Sequence, residues 1–175
     1  REWAWVVWSL VGSSRRCQGV RCVLERQRRY GDGGNINWAQ RPDEAGANVL
    51  YGGVGYKTHW KMRMVVRREG GVFRRYVHLS TGNYHARTTK LYTDFGLITS
   101  NEQVCGDVND VFTQLTGLGK ASKLKHLWQS PFTLHRQLLR AIQNETAHAM
   151  AGRKGRIIAK MNALLEPTVI AALSE

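Results

Sequence analysis

Acidic residues are scarce in this chain of 175 residues: 13 Asp and Glu stand against 26 Lys and Arg, which leaves a net charge of +13. An excess of this size carries information about binding partners rather than about fold. It favours polyanions such as nucleic acid, nucleotides or acidic lipid. The alternative is a basic surface that is simply well solvated. The length, with 42% apolar residues, suffices for one domain, or for one domain and part of another.

Long apolar runs and paired cysteines are also lacking. The opening segment, REWAWVVWSLVG, is far shorter than the roughly 20 residues that a membrane-spanning helix needs, and it lacks the features of a secretory signal. The three cysteines, Cys17, Cys22 and Cys105, are odd in number and match no zinc or redox spacing. We therefore expect a reduced, cytoplasmic compartment. Because the chain does not begin with Met, we expect it to be a fragment.

Short β-branched runs bounded by glycine and charged residues predict a sheet. Gly70 and Gly71 separate two of these runs, which predicts a tight hairpin. A further extended stretch should follow a loop within residues 80–99. The other predicted strands are residues 20–24, 47–54, 59–66 and 72–79.

Apolar residues recur at spacings of three and four in residues 101–117, which predicts an amphipathic helix. Residues 130–152 predict a second helix, and residues 35–46 an earlier one closed by Gly46. Residues 155–175 should open as a strand and end as a helix. This order mixes a hairpin with strand–helix units, so we expect an α/β domain with a mixed sheet.

The predicted strand at residues 59–66 carries one histidine among cations. Side chains alternate along a strand, so His59, Lys61 and Arg63 should share one face. The opposite face is apolar and should pack on the core: Trp60, Met62, Met64 and Val66.

An imidazole beside two cations has a chemical use. Nearby cations disfavour the imidazolium form and so keep a ring neutral and nucleophilic. The same cations attract an anionic electrophile and offset the charge that develops on its oxygens. His59 is therefore suited to attacking a phosphoryl group and forming phosphohistidine. The alternative is a histidine at a sheet edge with solvated neighbours.

The return strand leads into HLSTGNY, residues 78–84, where Gly82 permits a close backbone approach and Asn83 offers an amide donor. A His-x-Lys strand followed by Gly-x-Asn-like residues resembles the layout of phospholipase D-like phosphotransferases, which use histidine as a covalent phosphoryl acceptor. The aspartate that usually follows the lysine by five residues is absent, since Val66 stands there.

The stretch YGGVGYKTHWKMRMVVRREGGVFRRYVHLSTGNYHARTTKLYTDFGLIT resembles the first C-terminal catalytic domain of the polyphosphate kinases of the first type. NINWAQRPDEAG upstream, and SPFTLHRQLL and RIIAKMNALLEP downstream, continue the resemblance in order over roughly residues 20–175. It implies a phospholipase D-like α/β domain with a mixed sheet flanked by helices.

The resemblance implies reversible transfer of the terminal phosphate of ATP to polyphosphate through a phosphohistidine, with ATP/ADP and Mg²⁺ as cofactors. His59 matches the nucleophile; Lys61 and Asn83 would support it as a cation and a donor. Tyr92, in KLYTD, matches the nucleotide contact, where its ring could stack on adenine; the alternative is a core aromatic. Arg29, just before YGDGGNI, matches a residue of the magnesium site. We expect it to bind phosphate oxygens near the ion, unless it is a solvated arginine.

Three segments follow from the resemblance: residues 1–19, which do not match; residues 20–149, the first C-terminal catalytic domain; and residues 150–175, the start of the second. The family's active site lies between these two domains, so we expect the fragment alone to be inactive. The implied partners are ATP, polyphosphate and the remaining domains, in a homo-oligomer when the chain is full length. The implied location is the cytoplasm, near the inner membrane face, without a specific nucleic-acid partner.

Two other functions fit part of the sequence. Another phospholipase D-like hydrolase or nuclease needs a second His-x-Lys motif, which the sequence lacks. A basic module that binds nucleic acid or another polyanion without chemistry would bind through phosphates alone, with a steep salt dependence. Six cations either line a track for polyphosphate or form a solvated face: Arg67, Arg68, Arg74, Arg75, Arg87 and Lys90. Surface histidines are expected at three positions: His126, His135 and His148.

Overall fold

The computed structural model describes residues 12–13, 19–24, 40–51, 58–84, 87–117 and 123–175. The chain forms two compact units, Arg1–Lys123 and Leu124–Glu175. The described strands all lie in the first unit, and the second is helical.

A parallel strand pair opens the described part of the first unit. Strand β1 (Arg21–Leu24) pairs with β2 (Asn48–Tyr51), which confirms the two strands predicted around these positions. Residues 40–44 of the connection are helical. Gly46, at φ 83°, ends this helix, with the Ala47 amide donating to the Pro42 carbonyl at 2.9 Å. The predicted glycine stop is confirmed, whereas the start of that helix lies outside the described residues.

A two-residue turn joins β3 (Met62–Glu69) to β4 (Val72–Ser80). Gly70 and Gly71 have φ values of 57° and 84°, the left-handed pair that a type I′ turn needs, so the predicted hairpin is confirmed. This turn sets the register of the whole ladder, beginning with Glu69 opposite Val72. Strand β5 (Gly96–Thr99) pairs antiparallel with the far end of β4.

The start of β3 differs from the prediction. The strand begins at Met62 rather than at His59, because β4 ends at Ser80, whose amide donates to the Lys61 carbonyl at 2.9 Å. Beyond Ser80 the chain turns away, so the ladder of β4 does not extend to His59. The prediction that Val66 packs on the core is also wrong. Its side chain is 49% exposed, because it lies toward the hairpin tip, beyond the buried part of the sheet.

Helix α1 (Glu102–Leu115) packs on the hairpin and confirms the helix predicted there. Its first turn is capped by the Asn101 side chain, which accepts hydrogen bonds from the amides of Gln103 and Val104 at 3.0 and 3.1 Å. The core of this unit lies where the helix meets β4, and its most deeply buried side chains are Val77, Cys105, Val108 and Val111. This packing supports the sheet on the side away from the histidine–lysine pair described below.

The second unit contains α2 (Leu134–Met150) and α3 (Pro167–Ser174), as predicted, with Ile142 and Val169 buried. The strand predicted near Ile157 and Ile158 is wrong, since residues 153–166 form neither strand nor helix. A strand needs a neighbour to complete its hydrogen bonds, whereas the Arg156 amide here donates to a side-chain oxygen of Glu145 at 3.0 Å. None of the helices in the described ranges is long and apolar enough to cross a bilayer.

Glu166 caps α3 in the second unit. One carboxylate oxygen accepts hydrogen bonds from the Thr168 hydroxyl and the Val169 amide, both at 2.7 Å. These two hydrogen bonds, with the Thr168 bond the stronger cause, lower the pKa of Glu166 to about 2. The cap therefore stays ionised at neutral pH, where it satisfies a free amide of the helix start.

Candidate functional site

The exposed His59 ring lies directly against the Lys61 side chain. Lys61 Nζ is 2.9 Å from both ring nitrogens of His59 and also donates to the His59 carbonyl at 2.8 Å. An ammonium has donors only, so it can hydrogen-bond to the ring only through an unprotonated nitrogen. The contact places a cation directly beside the imidazole. His59 and Lys61 thus lie side by side, although both precede the strand from which the prediction placed them on one face, and their catalytic roles stay predictions.

Hydrogen bonds connect this pair with the loop after β4. The Ser80 amide donates to the Lys61 carbonyl at 2.9 Å, and the Ser80 hydroxyl accepts from the Gly82 amide at 3.0 Å. Asn83 follows directly and is exposed. The segment that holds the two side chains is thus hydrogen-bonded to the start of the Gly82–Asn83 loop, while the role of Asn83 stays a prediction.

Gly82 is buried against the side chain of Asp94. A Cβ atom on Gly82 would overlap the carboxylate of Asp94. The same carboxylate accepts a hydrogen bond from the Thr81 hydroxyl at 3.0 Å, and the Thr81 amide donates to the Phe95 carbonyl at 3.0 Å. The loop after β4 is therefore held against the segment that enters β5, and the predicted close approach at Gly82 is confirmed.

Gly82→Ala should destabilise the chain by about 1–3 kcal/mol, because the added methyl group displaces Asp94 and breaks its bond with Thr81. Urea unfolding of the 175-residue chain measures the effect. Gly106→Ala is the matched control: Gly106 lies in α1 with open space around its Cβ position, so this change should be neutral or stabilising. Adding Asp94→Ala to Gly82→Ala should restore part of the loss. Equal stability of the two single variants would contradict this account of the loop.

A second group of side chains lies on the Arg63 face of the hairpin. Strand pairing places Arg63 opposite His78, so both side chains point to one side of the sheet. The Arg63 guanidinium lies 4.1 Å from the centre of the Tyr84 ring, and the Tyr84 hydroxyl is 2.8 Å from His78 Nδ1. Burial raises the pKa of Tyr84, against the opposing charge of Arg63, so the phenol keeps its proton and can donate to the imidazole.

Sequence reasoning assigned no role to His78 or Tyr84. The signal for His78 was present, because a two-residue turn at Gly70 and Gly71 already implies that residues 63 and 78 are paired. Gly96 makes room for this histidine, since a Cβ there would come within 3.0 Å of His78 Nε2. The position of Tyr84 depends on the path of the loop, which no local pattern specifies.

Two further candidates have different outcomes. Tyr92 lies between the short 3-10 turn Thr88–Lys90 and β5, and its side chain is 61% exposed, so it is not a core aromatic. Arg29 lies outside the described residues. Within the parts of the chain that are described, His, Cys, Asp and Glu side chains form no group of three that could hold a metal ion.

Comparison with known proteins adds the family. Residues 2–121 match the sequence model described as "Polyphosphate kinase C-terminal domain 1", and residues 127–175 match "Polyphosphate kinase C-terminal domain 2". The chain belongs to the polyphosphate kinase family. The two matched regions fall on either side of the boundary between the compact units, Lys123 and Leu124, whereas the resemblance read from the sequence started the second domain at residue 150.

Relatives within the polyphosphate kinase family are close in sequence. The chain is 52% identical over 168 residues to a polyphosphate kinase of Neisseria meningitidis serogroup C, covering 96% of this chain and 24% of that protein. It is 55% identical over 171 residues to a polyphosphate kinase of Paraburkholderia phytofirmans, covering 95% of this chain and 25% of the relative. The chain therefore spans about a quarter of the length of these curated relatives.

A solved structure supports the fold. The crystal structure of polyphosphate kinase from Porphyromonas gingivalis superposes with a TM-score of 0.82, at 24% identity, over 95% of this chain and 28% of that one. At this identity the likeness shows the fold alone. The mixed α/β architecture expected from the sequence is thus shared with a known member of the family.

Proposed function

We propose that this chain provides the phosphohistidine part of a polyphosphate kinase, which transfers the terminal phosphate of ATP reversibly to polyphosphate. The observation that carries the proposal is the contact of the Lys61 ammonium with the His59 ring, 2.9 Å from each ring nitrogen, in a chain of this family. A neutral imidazole beside a cation is suited to attack on an anionic phosphoryl group.

The transfer has two balanced steps. A lone pair on a His59 ring nitrogen forms a bond with the terminal phosphorus of ATP, while the bond to the bridging oxygen breaks and ADP leaves with that electron pair. A terminal oxygen of polyphosphate then attacks the same phosphorus, the nitrogen–phosphorus bond breaks, and His59 regains its lone pair. Lys61 offsets the charge on the phosphoryl oxygens in both steps, and Asn83 contributes an amide donor beside them.

Nucleotide and metal contacts complete the proposal. The exposed ring of Tyr92 suits stacking on adenine, as the family resemblance implies. Arg29 is proposed to bind phosphate oxygens beside magnesium. Mg²⁺, when bound to a nucleotide, neutralises charge on the phosphates. We assign it no ligand in this chain, because an arginine is a poor metal ligand and the described residues form no three-membered group of the usual ligands.

The remaining expectations concern the setting of the site. We propose that the other domains of the family complete the active site and that the full-length protein forms a homo-oligomer. A cytoplasmic location near the inner membrane face accords with the family resemblance. A purely nucleic-acid-binding role is the competing function, and it predicts no covalent phosphoenzyme.

The direct test is to incubate a complete polyphosphate kinase that contains this chain with ATP labelled in its terminal phosphate. A phosphohistidine gives protein-bound label that is labile in acid and stable in alkali. Addition of polyphosphate should remove this label and lengthen the polymer. Label that never forms, in a protein shown to bind ATP, would leave only the binding role.

Lys61→Ala should lower phosphoryl transfer on the order of a hundredfold, by analogy with the loss of one charge-stabilising donor. Folding should be retained, because the Lys61 ammonium contacts His59 rather than the core. Transfer rate and thermal unfolding measure the two effects. The matched control is Lys154→Ala, which removes an exposed lysine from the second unit and should change neither.

Met62 provides the opposite comparison, because its half-buried side chain lies on the core face. Met62→Ala should therefore lower the unfolding temperature, while Lys61→Ala should not. If Lys61→Ala unfolds the protein and Met62→Ala is harmless, the two faces of the strand have been assigned the wrong way round.

A further inference from the structure

Strand pairing divides the five hairpin arginines between the two faces of the sheet. Arg67 is paired with Arg74 across the two strands. The side chains of this pair point to the same face of the sheet as those of Arg63 and His78, which are also paired. Arg68 and Arg75 belong to the other set, which faces α1, because the same set contains Val77, which is buried where the helix packs on the hairpin. The sequence alone could not separate these arginines, because it does not show which face the helix covers.

The face that carries Arg63 continues back to the nucleophile. Alternation from Met62, together with the Ser80–Lys61 hydrogen bond, places Lys61 in the same set as Arg63. Lys61 contacts His59 directly. The resulting row of cations, which we call the basic stripe, consists of Lys61, Arg63, Arg67 and Arg74. At about 3.4 Å per residue, it extends about 20 Å from Lys61 to Arg67.

One carboxylate holds the far end of the basic stripe together. Glu69 lies 3.5 Å from Arg67 Nε and 3.8 Å from Arg74 Nε, and it accepts a hydrogen bond from the Tyr76 hydroxyl at 3.0 Å. Two arginines directly opposite each other would otherwise repel. Both guanidinium side chains are 66% exposed, so they can still bind a ligand from solution while Glu69 fixes their position.

We propose that the basic stripe is the path along which a polyphosphate chain leaves His59, an inference that rests on the proposed function of that histidine. A linear polymer with a negative charge on every unit matches a row of cations that starts at the nucleophile. Single-stranded nucleic acid fits less well, because it gains much of its affinity from bases stacked on aromatic rings. The described aromatic rings on this face offer little for stacking, because Tyr76 and Tyr84 are half-buried and Arg63 covers Tyr84.

The test compares two double variants that remove equal charge from opposite faces. Arg67→Ala/Arg74→Ala alters the basic stripe, and Arg68→Ala/Arg75→Ala alters the helix-facing side of the same hairpin. Binding of the 175-residue chain to long polyphosphate is measured over a range of salt concentrations. The measured quantity is the slope of log affinity against log salt concentration. The stripe variant should reduce the magnitude of this slope by about two, and the control variant should reduce it by less than about one. Equal losses for the two variants would overturn the proposal.

Ligand length and ligand type provide further comparisons. Tripolyphosphate is too short to reach from His59 to Arg67. Neither double variant should therefore change the concentration of tripolyphosphate that displaces a ligand bound at His59. Single-stranded DNA of equal charge should lose equal affinity in both variants. If DNA loses as much as polyphosphate in the stripe variant alone, the stripe is a nucleic-acid surface and the proposal is wrong.

Glu69→Gln keeps the inference testable if the double arginine variant does not fold. The amide can still accept the Tyr76 hydroxyl, while Arg67 and Arg74 lose the negative charge of the Glu69 carboxylate. Affinity for long polyphosphate should rise, whereas Glu44→Gln, at an exposed position that belongs to neither hairpin strand, should have little effect. Equal affinities of these two variants for long polyphosphate would contradict the proposed path.

Failure of this inference is distinguishable from failure of the proposed function. Face-selective polyphosphate binding without labelled His59 would retain the stripe and reject the phosphohistidine. Labelled His59 without face-selective binding would retain the phosphohistidine and reject the stripe. The two results are independent, because binding to the hairpin requires no transfer step.

Discussion

Replacing His59 with alanine in a complete polyphosphate kinase that contains this chain should abolish the phosphoenzyme. The alanine side chain has no lone pair to bond with phosphorus. Labelled ATP should then leave no acid-labile, alkali-stable label above background. Polyphosphate synthesis should fall by at least about a thousandfold, as expected for loss of a catalytic nucleophile.

The control is His126→Ala, which removes an exposed imidazole from the second unit and should leave labelling unchanged. A normal phosphoenzyme in the His59→Ala variant would sink the assignment of the nucleophile. Among the described histidines, His78 would then be tested next, because it shares the Arg63 face and is hydrogen-bonded to Tyr84.

The 175-residue chain by itself should make no polyphosphate from ATP. Phosphoryl transfer requires the nucleophile, the transferred group and the leaving ADP to be held together, with magnesium charge on the phosphates. The described residues supply the proposed nucleophile, His59, and neighbouring cations, whereas the curated relatives are about four times as long. We expect product formation at background level in an assay of polymer synthesis.

Binding should persist where turnover is lost. The net charge of +13 should give the isolated chain weak affinity for polyphosphate that falls steeply with added salt. His59→Ala provides a matched control, because it should leave this binding almost unchanged. Polymer synthesis by the purified chain at the rate of a complete enzyme would show that one catalytic domain suffices, and would refute the expectation that the site needs a second one.

Local patterns were sufficient for much of the hairpin and for the helices. Gly70 and Gly71 predict a two-residue turn, and that turn determines which residues pair along β3 and β4. The apolar spacing of three and four in residues 101–117 predicts α1. These features depend on dihedral preferences and on neighbours a few residues apart, so they are legible in the sequence. The alternation of side chains that places Lys61 and Arg63 on one face is likewise a local feature that the sequence shows.

Longer-range contacts decided the rest. The sequence predicted a strand from His59, but the length of β4 determines that β3 starts at Met62. It also predicted a strand near Ile157, where the described structure provides no neighbouring strand to complete the backbone hydrogen bonds. The close approach of Asp94 to Gly82, and the Tyr84–His78 hydrogen bond, join residues whose separation along the chain carries no periodic signal.

The division of the arginines shows the same limit at the candidate site. By itself the sequence determined that Arg67 and Arg68 point to opposite faces, since successive strand residues alternate. Only the tertiary structure decided which of those faces is covered by α1 and which continues to Lys61 and His59. The physical reason is that alternation is a property of the backbone, whereas the covered face depends on where a helix some 30 residues further along the chain packs.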